Sequence, residues 1–173
     1  MLEPQKSGWW WEQNQNNLSK LDDRDEPMEN SRPAWRRPAA NPANAGKCVL
    51  IVEDAPLNMR MFSAMVAAQG HRVLQATDGS RGLDLAHQEH PDLIIMDVQL
   101  PGLSGLEVTH LLKGDDDTRD IPIIVTSGYL IDEEELRASG CDAYLAKPIT
   151  VSEFVDVIES FLIRSARASS AAP

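Results

Sequence analysis

From Cys48 onward, short apolar runs alternate with stretches whose apolar residues recur every three or four positions. Cys48–Val52 is a near-continuous apolar run, as a strand covered on both faces requires. Leu57, Met61, Ala64, Met65 and Ala68 then fall at helical spacing, with Pro56 suited to the first turn and Gly70 to the stop. Arg72–Ala76 predicts a second strand closed by Thr77-Asp78-Gly79, and residues 80–89 a short helix weakened by Gly82. Residues 92–97 predict a third strand, apolar until Asp97. Ser104 and Glu107 make a capping box that opens a third helix ending at Gly114. A fourth strand over 121–126, a short acidic helix over 132–139 stopped by Gly140, and a fifth strand over 142–146 follow. Thr150 and Glu153 form a second capping box, and Val151, Phe154, Val155, Ile158, Phe161 and Leu162 line one stripe of the last helix.

Strands that alternate with helices predict an α/β protein with a parallel sheet covered on both faces. Residues 47–163 suit a flavodoxin-like, doubly wound (βα)5 fold with strand order 2-1-3-4-5. In such a fold the functional site lies beyond the carboxyl ends of the strands. Strand one ends in Glu53-Asp54, strand three in Asp97, strand four in Thr126-Ser127 and strand five in Lys147. Three carboxylates thus converge at one sheet edge, where unpaired like charges are costly and a hard cation removes the conflict. Oxygen ligands without His or Cys favour Mg²⁺ over zinc. Lys147 offers a point charge and Ser127 a hydrogen-bond donor to a phosphoryl group, and a carboxylate can itself be the nucleophile that accepts one. Asp97, alone at the end of the central apolar strand, is the candidate acceptor.

Residues 1–46 have a different texture: Gln13-Asn14-Gln15-Asn16-Asn17, a charged cluster at 22–26, and Pro27, Pro33, Pro38 and Pro42. Such composition predicts a disordered extension, although it holds all four tryptophans, Trp9, Trp10, Trp11 and Trp35. The chain has a net charge of −11, and about all of it belongs to residues 47–173. That acidity argues against nucleic-acid partners and anionic membrane surfaces. No apolar run approaches the roughly 20 residues a membrane span needs. Cys48 and Cys141 form neither a disulfide framework nor a metal spacing, which points to a reducing, cytoplasmic setting. His87 and His90 lack a third metal ligand, and Asp115-Asp116-Asp117 lacks the later Glu of a calcium loop, so these read as solvated surface. Residues 164–173 predict a short flexible tail.

The runs Val49-Leu50-Ile51-Val52-Glu53-Asp54, Met96-Asp97-Val98-Gln99-Leu100-Pro101-Gly102 with Gly105, Ser127-Gly128-Tyr129, and Tyr144-Leu145-Ala146-Lys147-Pro148 resemble the receiver domain of the two-component response-regulator family. Within that family the chain is similar to the DivK-type single-domain cell-division regulators, on Asp54-Ala55-Pro56-Leu57-Asn58-Met59-Arg60-Met61 and residues 104–108 and 113–122. The resemblance implies that Asp97 accepts a phosphoryl group from a histidine kinase or histidine phosphotransfer protein and that a downstream protein partner reads the result. It implies Mg²⁺ held by Glu53, Asp54, Asp97 and the backbone carbonyl of Gln99. Lys147 would pair with the phosphoryl group, Ser127 and Tyr144 would form the switch, and a cis peptide would precede Pro148. Gln99 and Tyr129 would control water access. The stretch from Pro122 to Lys147 runs about two residues shorter than in the chemotaxis regulator, which abbreviates the fourth helix.

Two other classes compete with this signalling role. A Mg²⁺-dependent phosphohydrolase also uses a strand-end Asp, but generally needs a second acid two residues on, where Gln99 stands, together with a cap domain. A phosphorylation-independent adaptor would be expected to lose some of the acceptor, acid pair, hydroxyl and lysine, and all are present. The expectation is therefore a phosphoacceptor signalling protein and not an enzyme.

Overall fold

The computed structural model describes residues 46–170, with side chains to residue 163. The extension predicted over residues 1–46 lies outside them apart from Gly46, and so do residues 171–173. The elements alternate strictly: β1 (Cys48–Val52), α1 (Pro56–Ala68), β2 (Arg72–Ala76), α2 (Gly79–Glu89), β3 (Leu93–Asp97), α3 (Gly105–Gly114), β4 (Ile123–Ser127), α4 (Glu133–Ser139), β5 (Ala143–Ala146) and α5 (Val151–Ser170). All strand pairings are parallel, in the order β2-β1-β3-β4-β5. This is the expected doubly wound (βα)5 topology.

Strands β1, β3 and β4 are buried along their whole length, which is why their sequences carry no polar alternation. On one face Leu50, Val52, Ile94, Met96, Ile123 and Val125 pack on Leu85, Ala86, Val108, Leu112 and Leu136 from α2, α3 and α4. Their alternates Ile51, Ile95 and Ile124 lie on the other face, where Phe62 of α1 stacks on Phe154 of α5 with ring centroids 4.7 Å apart. At the amino-terminal edge two aspartates staple neighbouring strands. Asp92 accepts from Cys48 N–H and Lys47, and Asp142 from Ile123 N–H and Lys113. Asp92 and Asp142 also donate their own N–H to the Cys48 and Ile123 carbonyls, and the strands begin one residue later than expected, at Leu93 and Ala143.

Helix boundaries follow their caps. Asp78, Ser104 and Asp132 cap α2, α3 and α4, and the reciprocal Ser104–Glu107 box is complete. Helix α4 has only 7 residues, as the short connection predicts. The Thr150 hydroxyl accepts from Glu153 N–H at the start of α5.

Three expectations need correction. The buried face of α1 is Met59, Phe62 and Val66, whereas Leu57 is 79% exposed and Met61 38%. This helix is apolar on nearly every side, so spacing allowed two stripes, and the stacking of Phe62 on Phe154 selected the one with the ring. In α5, Val151 is 61% exposed and Val157 is buried in its place. The tail expected from residue 164 begins as helix, continuous to Ser170, since the segment holds no Gly or Pro and is rich in Ala and Arg. His87 is also better held than a solvated residue, with Nδ1 on the Leu83 carbonyl and Nε2 on Asp115.

Close approach demands glycine at Gly82 and Gly105 among other positions. A β-carbon at Gly82 would sit 3.0 Å from a Val52 methyl, so this residue weakens α2 but lets it lie close on β1. At Gly105 a β-carbon would overlap the Asp97 carbonyl oxygen, and its N–H donates to the Val98 carbonyl at 3.0 Å. Backbone cannot move aside as a flexible side chain can. Gly105→Ala is therefore expected to lower stability by about 3 kcal/mol or more. Urea denaturation checks this, and a loss below about 0.5 kcal/mol would show that the turn after β3 relaxes freely.

Candidate functional site

Parallel strands bring their carboxyl ends to one edge, and the ladder sets the neighbours there. Val52 pairs with Met96, Asp97 with Thr126, and Ser127 with Ala146. Glu53, after Val52 of the adjacent β1, therefore stands beside Asp97, and Lys147, after Ala146, reaches Asp97 by its side chain from beyond β4. Lys147 N–H donates to the Ser127 carbonyl at 2.7 Å and the Lys147–Pro148 peptide is cis, as the resemblance implied.

Glu53 and Asp97 are almost wholly buried, at 1% and 4% exposure, and Asp54 beside them is exposed. Oxygens of these three carboxylates lie within 4.8 Å of one another. The Lys147 ammonium sits between the two buried ones, 2.8 Å from Glu53 Oε2 and 2.9 Å from Asp97 Oδ1. One positive and three negative charges leave the cluster with an excess of two negative charges. An all-oxygen donor set with that excess and one solvent-facing member fits Mg²⁺, which keeps several waters. These three acids are the residues that could hold it.

Burial pushes the Asp97 carboxyl above the ordinary carboxylate range, and the Glu53 charge adds to this; Lys147 and the Gln99 N–H pull it down without restoring it. Burial opposes the Lys147 ammonium as well, but its hydrogen bonds to Glu53 and Asp97 outweigh that and hold its proton more tightly than usual. The two shifts are compatible. The lysine gains two partners, whereas the aspartate gains one partner, loses water and acquires a like-charged neighbour.

Ser127 is fully buried, and its hydroxyl is engaged with its own loop, donating to the Tyr129 carbonyl at 3.0 Å and accepting from Tyr129 N–H at 3.1 Å. The Tyr144 hydroxyl donates to the same Tyr129 carbonyl at 3.1 Å, with its ring packed on the core. The fold thus brings Glu53, Asp54, Asp97 and Lys147 together, and ties Ser127 and Tyr144 to each other through one carbonyl. Gln99 reaches the site by its backbone N–H on Asp97, and its side-chain oxygen would lie 3.7 Å from a β-carbon at Gly128. The Tyr129 side chain is 48% exposed.

Reading by strand ends missed Asn58. Its amide donates to Glu53 Oε1 at 3.2 Å, where Ala55 N–H also donates at 3.2 Å. A single Asn in the first turn of a helix has no spacing that marks it, and only the fold shows that it faces Glu53.

The family model described as "Response regulator receiver domain" matches residues 49–159. The polar-differentiation response regulator DivK of Brucella ovis is 48% identical over 118 residues, covering 67% of this chain and 96% of that protein. The receiver domain of a sensor histidine kinase from Pseudomonas aeruginosa, solved with a magnesium ion coordinated in its active site cleft, is 30% identical with a TM-score of 0.63, covering 68% of this chain and 98% of the other. The chemotaxis response regulator CheY4 of Vibrio cholerae shares the fold at a TM-score of 0.64 and 24% identity, over 68% of this chain and 99% of that one.

The electrostatics of Asp97 give a signed expectation. Its carboxyl is raised on folding, so its charged form is the costlier one in the folded protein. Above the raised value wild type bears this cost in full; below the ordinary carboxylate range both folded and unfolded chains hold the proton and the cost disappears. Asp97→Asn is expected to melt above wild type in Mg²⁺-free buffer at neutral pH. The difference should close as the pH falls through and below the ordinary carboxylate range. Thermal denaturation across that range checks it, and a variant melting below wild type at neutral pH would contradict the assignment.

Proposed function

The chain belongs to the response-regulator receiver family, and from that premise we propose that it is a phosphorylation-controlled signalling module whose acceptor is Asp97. The observation that carries the proposal is the Lys147 ammonium held between Glu53 and Asp97 beside the exposed Asp54. A strand-end carboxylate with a cation on one side and acids on the other is placed to attack phosphorus and to have the incoming oxygens neutralised.

In the proposed reaction an Asp97 carboxylate oxygen forms a bond to phosphorus as the bond from phosphorus to a donor histidine nitrogen breaks. The nitrogen keeps the electron pair, and because the other nitrogen of the donor ring carries a proton, the imidazole leaves neutral. The donor is a histidine kinase or a histidine phosphotransfer protein. Glu53, Asp54, Asp97 and the Gln99 carbonyl would hold Mg²⁺, which when bound supplies positive charge to the phosphoryl oxygens. Lys147 turns from the Asp97 carboxylate to a phosphoryl oxygen. Ser127 exchanges the Tyr129 carbonyl for another phosphoryl oxygen, which leaves the Tyr144 hydroxyl as that carbonyl's partner. The β4–α4 loop is thereby biased toward one of two arrangements, and the surface formed by α4, β5 and α5 changes its affinity for a downstream protein. The chain does no chemistry on another substrate, and self-dephosphorylation is slow. Similarity to polar-differentiation regulators extends the proposal to cell-cycle or cell-division control, in the cytoplasm.

Incubation with acetyl phosphate and Mg²⁺ should add one phosphoryl group to wild type and none to Asp97→Asn, measured by intact mass. Equal labelling of the variant would sink the acceptor assignment. Gln99 and Tyr129 flank the approach of water to the phosphorus, and the ring of Tyr129 is assigned the larger effect, by covering the group. Tyr129→Ala is expected to lose its phosphoryl group about fivefold faster, equivalent to about 1 kcal/mol in the barrier. An unchanged or slower rate in a dephosphorylation time course would mean that the ring stands clear of the site.

A further inference from the structure

Glu53 is the buried acid of the cluster with the longest arm, and its two oxygens are treated differently. Oε2 receives the Lys147 ammonium at 2.8 Å. Oε1 receives two neutral donors, Ala55 N–H and the Asn58 amide, both at 3.2 Å. Both donors belong to the start of α1. Its N-cap is Ala55, which has no side chain to cap the helix, and Pro56 follows with no N–H to offer. A carboxylate from the preceding loop thus takes the N–H of the N-cap residue and a side-chain amide of the first turn, at the helix end where the dipole favours negative charge. Asn58 in turn is fixed from below, because Met59 and Phe62 of the same helix are buried and Phe62 stacks on Phe154.

We propose that Asn58 is the positioning residue of the metal site: it clamps one oxygen of Glu53, so that this carboxylate meets Lys147 and a divalent cation through its other oxygen alone. The inference rests on the functional reading above and deepens it. A glutamate with both oxygens free could rotate to embrace the lysine or swing toward Asp54, and each would take it from the geometry the cation needs. The Asn58 amide, added to the Ala55 N–H on the same oxygen, blocks both with a neutral donor, which leaves the charge excess of the cluster intact. A lysine or arginine in its place would hold Glu53 as firmly but would cancel part of the charge that attracts the cation. The same side chain also lines the groove of about 440 Å³ between α1 and the segment after β5, with Met61, Phe62, Lys147, Pro148 and Ile149.

The test is thermal denaturation of the full chain while Mg²⁺ alone is titrated, so the readout does not depend on phosphorylation. Wild type should gain melting temperature with Mg²⁺. Asn58→Ala should need about tenfold more Mg²⁺ for half of that gain, the low end of what removing a partner of a metal ligand costs. Asn58→Gln, which keeps the amide on a longer arm, should fall between the two. The Mg²⁺ dependence of acetyl phosphate labelling should move by the same factor. A residue that only supports the fold would lower the metal-free melting temperature and leave the Mg²⁺ midpoint in place. An unmoved midpoint in Asn58→Ala therefore overturns the proposal, whatever its metal-free stability. If Asn58→Ala does not fold, an unmoved midpoint in Asn58→Gln does so. A wild type with no Mg²⁺ response overturns both this inference and the metal part of the functional reading, whereas a normal wild-type response with an unmoved variant midpoint overturns this inference alone.

Discussion

One ammonium group holds the carboxyl edge of this sheet together. Lys147 reaches Glu53 and Asp97 from a position 94 residues from the first and 50 from the second in the chain. Both acids are nearly inaccessible to water, and a buried carboxylate left without a partner costs several kcal/mol. The lysine offsets part of that cost for each but cannot neutralise both, and Asp54 adds a third charge within reach. The site is therefore folded but electrostatically incomplete. In the proposed function a divalent cation offsets that excess, and a phosphoryl group then follows onto the cation.

That constraint holds because everything beneath the edge is stiff. Strands β1, β3 and β4 are buried from end to end, and their residues interleave with helices on both faces. At Gly105 the backbone of α3 lies against the Asp97 carbonyl, so β3 and the helix after it cannot shift separately. Aspartates at the opposite edge pin the starts of β1 and β4, and the Phe62–Phe154 stack locks α1 to α5. Charges that repel one another stay together because the sheet gives them nowhere to go.

The proposed cycle assigns movement to the loop after β4. The Tyr129 carbonyl takes hydrogen bonds from both Ser127 and Tyr144. A carbonyl oxygen has two lone pairs, so this sharing is allowed, and loss of one donor leaves the other in place. In the proposed cycle that asymmetry converts a local demand for a hydroxyl into a changed loop. The energies involved are those of single hydrogen bonds, about 1 kcal/mol each, which suits a population shift rather than a wholesale refolding.

The linear pattern determined the strand and helix order, the parallel sheet and which polar residues gather at its carboxyl edge. Buried parallel strands must read as apolar runs, and whatever polar residue ends such a run is delivered to that edge. Glu53, Asp54, Asp97, Ser127 and Lys147 were legible for this reason alone. Where a segment was apolar on every side, as in α1, spacing could not choose a face, and the packing of Phe62 on Phe154 decided it. Contacts between residues distant in sequence were equally invisible: the aspartate staples, the overlap that demands glycine at 105, and the bond between Lys147 and two acids. The roles of Asn58 and the Tyr129 carbonyl depend on where one amide and one backbone oxygen point. Pattern constrains which residues reach an edge, but only the packed chain fixes how their atoms face one another.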